Sequence, residues 1–343
     1  MENKMKKVAE KVKHITAEAI QEVYLRKKPK SLGIADLGCS SGPNTLTNIK
    51  QVVDAVEKAC RSISESAPEL RVCLNDLPTN DFNTIFQALP DFYRDLKKGG
   101  TNQPTLYVAA YPGTFYGRLF PDDCLHFVYS SNSLHWLSTV PPGIYNEEGS
   151  SMNKKSIYIS ERSPPEVRKA YMKQFEEDFS LFLKSRSEEL IDGGRMVLIL
   201  LGRIASDHAH CANSLFWELL YQSLACLVVK GDIEEEKLES YDVHFYAPSK
   251  EELEEEVRKE GSFKMDMVEM VEMDKDVSGD GGGYGVAVAK AVRSIQESML
   301  VHHFGEALNL DELFHHYATL VDQQVGKRDD VKSVTAVLVL TKL

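Results

Sequence analysis

Cysteine, positive charge and long apolar runs are all scarce in this chain. Its six cysteines, at 39, 60, 73, 124, 211 and 226, form no C-x-x-C pair and no compact framework. That excludes a common zinc or redox motif and a secreted disulfide scaffold, and implies reduced thiols. Lys and Arg number 40 against 52 Asp and Glu, for a net charge of -12, which disfavours nucleic acid because its phosphates must be neutralised by cations. The same charge mildly repels an anionic substrate, so capture must depend on local contacts. No apolar run approaches the roughly 20 residues of a membrane span, and the opening MENKMKKVAEKVK has no apolar h-region. A soluble cytoplasmic protein with no membrane partner is the expectation.

What is present is a chain of 343 residues, 43% hydrophobic, long enough for one α/β domain with a large insertion. The stretch Ser31 to Asn44, SLGIADLGCSSGPN, runs an apolar strand (Leu32, Ile34, Leu37) into an acid, Asp36, and a glycine turn. Gly38 and Gly42 let the backbone turn closely around a ligand. A helix is expected from about Pro43, with Ile49, Val52, Val53, Val56 and Ile63 as its core stripe. A glycine turn by itself can serve geometry alone. The next apolar run, Leu70 to Leu74, however, ends in Asn75 and Asp76, an acid at a strand tip where a ribose diol could donate two hydrogen bonds. The third glycine of G-x-G-x-x-G is missing and Asp76 lies further than about twenty residues on, so S-adenosylmethionine fits better than a dinucleotide carrying a pyrophosphate.

Further strands are read at Leu106 to Ala110, Leu125 to Tyr129, Met196 to Leu201, Phe263 to Met273 and Val334 to Leu340. Together they predict a seven-stranded, mostly parallel sheet with an antiparallel edge. Two helical insertions, Ala212 to Gly261 and Tyr284 to Val325, are expected to fold together as a cap. The division expected is a core over 1–202, cap segments over 203–261 and 277–330, a core strand within 262–276 and a core edge strand within 331–343. The loop Asp274 to Gly285 reads as a mobile connection; no Gly-Lys-Ser/Thr ending makes it a phosphate loop. Glu251 to Glu260 offers Glu254 to Arg258 and Glu255 to Lys259 pairs on a solvated helix face. His208/His210, His302/His303 and His315/His316 do not have a spacing that shares one metal easily.

ADLGCSSGPN, LNDLPTNDFN (Leu74 to Asn83), GTFYGRLFP (Gly113 to Pro121) and SSNSLHWLS (Ser130 to Ser138) resemble the plant SABATH methyltransferases. The likeness continues through IYISERSPP, FSLFLKSRSEEL, GGRMVLILLGR and HFGE, over nearly the whole chain. It implies a Rossmann-like class I methyltransferase fold with a helical cap, S-adenosyl-L-methionine as cofactor and a small acid (salicylate, benzoate or jasmonate type) as substrate. A homodimer is implied as the assembly. By motif match it puts Asp36 near the methionine part of the cofactor, with Gly38 and Asn44 at the turn. Asp76 and Leu77 stand at ribose and adenine, Thr114 and Phe115 where Ser-Phe is more usual beside the adenine, and Tyr129 and Ser130 beside the methyl donor.

On the acceptor side, Trp136 matches the tryptophan whose indole N–H donates to the carboxylate. His135 holds the neighbouring position that varies with substrate, histidine being common among jasmonate and indole-acetate types. These two are the catalytic candidates. Asn132, Leu200, Phe216, Trp217, Tyr246, Ala289 and Val292 fall near pocket-lining positions. Asn153, Glu239, Tyr241 and Asp242 match a surface, non-catalytic magnesium position, with Glu and Asp replacing the more usual Asp and Asn.

Family members begin with a segment resembling M-N-G-G-x-G-x-x-S-Y-A-x-N-S-x-x-Q that covers the cofactor, whereas this chain starts near its end, with Met5 falling close to the expected glutamine. Two alternatives to a carboxyl methyltransferase therefore follow: a xanthine-type N-methyltransferase on the same fold, and a poorly active binding protein without that lid.

Overall fold

The computed structural model describes residues 4–42, 44–97, 104–208, 212–273, 283–326, 328 and 331–343, with backbone alone over 4–11. Pro43, His210, Cys211 and the 274–282 part of the expected mobile loop lie outside the described residues.

The first half alternates helix and strand: α1 (Lys4–Lys27), β1 (Ser31–Leu37), α2 (Asn44–Ser62), β2 (Glu69–Asp76), α3 (Phe82–Lys97), β3 (Thr105–Pro112) and β4 (Leu125–Ser131). Then follow α4 (Pro165–Glu189), β5 (Leu190–Gly202), α5 (Ala212–Lys230), α6 (Glu235–Glu239) and α7 (Lys250–Glu260). The chain closes with β6 (Phe263–Met273), α8 (Gly283–Phe304), α9 (Leu310–Gln324) and β7 (Ser333–Lys342). Each expected strand lies inside an observed one. In α2 the stripe Ile49, Val52, Val53 and Val56 is buried, while Ile63 falls beyond the last turn and is half-buried.

The seven strands form one sheet in the order β3-β2-β1-β4-β5-β7-β6. Pairings from β3 through to β5 are parallel, and β7 runs antiparallel to both neighbours. The antiparallel strand is therefore interior and β6 is the edge, a correction to the edge position expected for 331–343. Its sequence explains why: Ala336, Val337, Leu338, Val339 and Leu340 are buried in succession, as a strand covered on both faces requires.

Apolar cores lie on both sides of the sheet. One joins α1, α2 and β1 through Ile20, Val23, Val52, Val56 and Leu32; the other joins α4, α5, α7 and α9 to the opposite face through Phe175, Phe182, Leu220, Leu253 and Tyr317. The 203–261 stretch expected as cap is divided, because α7 packs on β6 and α4 and belongs to the core layer. A capping box between Ser249 and Glu252 starts α7, and Gly261 at φ 80° ends it. On α7, Lys259 meets the expected Glu255 at 3.9 Å and also Glu256 at 2.7 Å, while Arg258 pairs with Glu255 in place of the expected Glu254, and Glu256 is buried.

The remaining helices do fold together. Tyr317 on α9 donates to the Phe216 carbonyl at 3.3 Å, and the Tyr241 hydroxyl donates to Gln296 Oε1 on α8 at 2.7 Å. A Cβ at Gly285 would stand 2.1 Å from the Ala318 carbonyl oxygen, so glycine is what lets α8 reach α9. α5, with 19 residues and a mean hydropathy of 1.2, has the length and composition of a membrane span that no run was expected to have. Its Trp217, Leu219, Leu220, Leu224 and Leu227 are buried against the core, which accounts for much of its apolar character.

Candidate active site

The sheet order reverses between β1 and β4, and ligands of open α/β sheets sit beyond the carboxyl ends of strands at such a switch point. Three strand tips are tied together there by one fully buried residue, through its side chain and its backbone. Asn75 Nδ2 donates to the carbonyls of Tyr111 (2.7 Å) and Gly113 (2.9 Å), and its backbone carbonyl accepts the N–H groups of Gly38 and Cys39, both at 2.9 Å. Gly38 has φ +78°, and a Cβ there would stand 2.0 Å from Ser133 Oγ. Both facts demand glycine. At Gly42, by contrast, a Cβ would meet nothing within 4 Å, so the protein itself makes no such demand.

Asp76 is half-exposed and held by backbone: Oδ2 accepts the Ser40 N–H at 2.7 Å and Oδ1 the Leu77 N–H at 2.8 Å. Ser40 adopts φ 56° in forming that hydrogen bond, a left-handed conformation kept where the surroundings impose it. Each carboxylate oxygen retains acceptor capacity, and Leu77 beside it is 54% exposed. Asp36 differs: it is 6% exposed and accepts the Thr45 hydroxyl at 2.9 Å. Burial pushes its carboxyl up to about 7, the Thr45 hydrogen bond opposing and the nearby Asp76 charge adding to the rise. Asp36 and Tyr129 line a cavity of about 20 Å³ under α1 and α2, room for about one water. Asn44 is exposed at the start of α2, Thr114 is exposed, and Phe115 is half-buried. Ser130 is fully buried with its hydroxyl donating to the Leu37 carbonyl at 2.9 Å; that side chain is occupied inside the fold.

Across the switch point stands the segment after β4. Asn132 takes φ 57° while its N–H donates to the Ile199 carbonyl at 2.8 Å. His135 is 2% exposed and its Nδ1 accepts the Leu201 N–H at 3.1 Å, which assigns the ring hydrogen to Nε2. Burial pulls its pKa down to about 3, so the ring is neutral at neutral pH. Trp136 is half-buried, ringed by His135, Trp217, His244 and Phe245 at centroid distances of 5.4, 6.3, 5.7 and 5.6 Å. Its indole N–H has no hydrogen-bond partner among the described residues. Leu200 and Trp217 are buried in the same apolar core, as is Ala289, with Phe216 and Val292 packed against it.

Tyr246 departs from expectation. Its ring stacks on Phe175 at 4.9 Å, lies under the Arg203 guanidinium at 5.5 Å, and its hydroxyl donates to Glu252 at 3.1 Å. It belongs to a buried polar knot with Arg203 and Glu252, and the adjacent Phe245 takes the place by Trp136. Neighbouring residues of an extended segment face opposite ways, the signal that could have distinguished them. Phe245, His244 and Tyr158 were not singled out in the sequence, although Tyr158 sits 5.3 Å from Phe245 and 6.4 Å from Trp217.

The side chains expected for magnesium do not fit that ion. Asn153 spends its amide on the Ser156 and Tyr158 carbonyls and its oxygen on the Ser163 hydroxyl, and the Tyr241 hydroxyl turns into α8. That leaves Asp242, buried and raised to about 6 by burial, and Glu239, which meets Lys154 at 3.7 Å. Among the described residues no group of three or more His, Cys, Asp or Glu could hold a metal. Cys39, Cys60, Cys73, Cys124 and Cys226 are free thiols.

A seven-stranded sheet reversing beside a glycine turn, with an acid at the next strand tip, defines a class I methyltransferase architecture. A family model described as SAM dependent carboxyl methyltransferase matches residues 3–343, and the chain belongs to that family. It is 46% identical over 325 residues to a probable jasmonic acid carboxyl methyltransferase 2 of Theobroma cacao, covering 92% of this chain and 87% of that one. It is 43% identical over 338 residues to a benzoic acid/salicylic acid carboxyl methyltransferase 1 of Petunia hybrida, covering 98% and 92%. A solved loganic acid methyltransferase with SAH superposes with a TM-score of 0.84 at 32% identity, covering 98% of this chain and 93% of that one. The protein is thus an enzyme that transfers methyl groups from S-adenosylmethionine to carboxyl groups.

Proposed function

We propose that the enzyme converts the carboxylate of a small plant acid, of jasmonate, salicylate or benzoate type, to its methyl ester. The carrying observation is the indole N–H of Trp136, unpaired among the described residues and set in an aromatic belt at the tips of β4 and β5. Bound S-adenosylmethionine supplies a methyl group on a sulfonium. Asp76, its oxygens oriented by Ser40 and Leu77, is read as the ribose acceptor. Phe115 and the exposed Leu77 are read as the walls beside the adenine.

Because a carboxylate and a sulfonium would both lose charge on forming the ester, water would favour the separated reactants, and a dry, aligned site would speed the transfer. Trp136, Trp217, Phe245 and Leu200 support a dry wall. A carboxyl group with an ordinary pKa near 4 is already ionised at neutral pH, so no general base is required. His135, neutral and held by the Leu201 N–H, is read as a shaping residue. A neutral donor such as the Trp136 indole orients the acid without the ground-state stabilisation an arginine would add.

An ester-forming reading is favoured over ring-nitrogen methylation by the family description of the whole chain. His135 and the 46% identity to a probable jasmonic acid methyltransferase support jasmonate as the first acid to try. Methyl transfer to jasmonate, salicylate, benzoate and a dimethylxanthine, with product identification, tests the proposal. Methyl esters are expected; methylated xanthine without any ester would overturn it.

A further inference from the structure

The loop after β3, on the cofactor side, and the segment after β4, on the acid side, meet at one buried hydroxyl. Tyr116 is 7% exposed and donates to the Trp136 carbonyl at 2.6 Å. Its loop is gripped from behind by α4. Arg186, with no exposed surface, donates to the carbonyls of Phe115 (3.0 Å) and Gly117 (2.8 Å), the residues on either side of Tyr116. Glu189, equally buried, accepts the N–H groups of Leu119 (2.5 Å) and Phe120 (3.0 Å) and pairs with Arg186 at 2.7 Å. The same helix holds the other side, where Asp178 accepts the Ser138 N–H and hydroxyl, both at 2.7 Å, two residues beyond Trp136.

We propose that Tyr116 is a positioning residue that links the cofactor half of the site to the acid half by fixing the Trp136 backbone, with Arg186 and Glu189 setting its loop. The proposal rests on the assignment of Trp136 to the acid. A hydrogen bond to a residue's own carbonyl limits rotation of its peptide plane and, with it, the direction of the indole N–H. Placement within a fraction of an ångström is what in-line transfer needs. Phe115 sits edge-on to the Tyr116 ring at 4.8 Å, so a displacement of the adenine-side wall is felt by the same phenol.

The test is a cycle of Tyr116→Phe, Trp136→Phe and the double variant, read by kcat and KM for jasmonate (salicylate and benzoate in parallel), by S-adenosylhomocysteine affinity and by melting temperature. Phenylalanine keeps the packing and deletes only the hydroxyl. Tyr116→Phe is expected to lower kcat/KM for the acid about three- to ten-fold, the size of one buried neutral hydrogen bond. S-adenosylhomocysteine affinity should stay within about two-fold, and in the Trp136→Phe background the loss should nearly vanish, because coupled residues are not additive. An equal loss in both backgrounds, or a lower melting temperature with unchanged kcat/KM, would overturn the link. If Trp136→Phe alone leaves turnover untouched while Tyr116→Phe still lowers it, the assignment of Trp136 fails and the link falls with it.

Discussion

Asp36 and Asp76 show how burial divides one side-chain chemistry into two roles. Asp76 is half-exposed with both oxygens aimed by backbone N–H groups, suited to accept a diol. Asp76→Ala should weaken cofactor binding by roughly 1.5 to 3 kcal/mol for each charge-assisted hydrogen bond removed, measured by calorimetry; unchanged affinity in a folded variant would remove Asp76 from the site. Asp36, raised to about 7 from 3.8, holds a proton in the folded state between those values that the unfolded chain has released. Its contribution to stability therefore falls as pH rises through that window and is constant above it. Asparagine at the position stays neutral throughout, so the melting temperature of Asp36→Asn relative to the wild type should climb between about pH 4 and about pH 7 and level off above that. A pH-independent difference would mean an ordinary carboxyl.

At the scale of elements, α4 is a spine with two buried charges, Arg186 and Glu189, near its carboxyl end. Arg186→Met leaves the buried Glu189 carboxylate with only the partly exposed Arg118, at 3.6 Å, as a cationic partner, which costs up to about 3–5 kcal/mol. Adding Glu189→Gln should recover part of that loss, as denaturant titration of the two variants would reveal. A double variant no more stable than the single one would show that the backbone grips of Arg186, not the ion pair, hold the loop. In sequence, Arg186 and Glu189 at i, i+3 read as any solvated helix pair, and nothing local tells that Gly117 and Phe120 come to meet them. The strands were legible because Leu32, Leu70 and Met196 begin dense apolar runs bounded by acids and glycines. The interior place of β7 was not, since its neighbours β5 and β6 are chosen by packing across the whole sheet. The site followed the same division: Asp76 and Trp136 stood in dense motifs, while Phe245 was separable from Tyr246 only once the extended segment fixed which face each one takes.

For the whole molecule, the position of β7 sets how the sheet is completed. Val337, Leu338 and Val339 pair with β5 on one side and β6 on the other, so removing 333–343 should expose both neighbours and abolish cooperative unfolding in circular dichroism. A truncated chain that still melts sharply would mean that β6 can dock on β5 unaided. The long path to this strand also has a cost in time. β5 ends at Gly202 and β7 begins at Ser333; at ordinary synthesis rates of about 5–20 residues per second the ribosome needs on the order of ten seconds to cross that span. Throughout that interval the nascent chain presents the apolar ladder of Val197 to Leu201 as an open edge, the type of surface that recruits chaperones or other nascent strands. Chaperone-sensitive folding during synthesis is the outcome this strand order leads one to expect, independently of how stable the finished enzyme is.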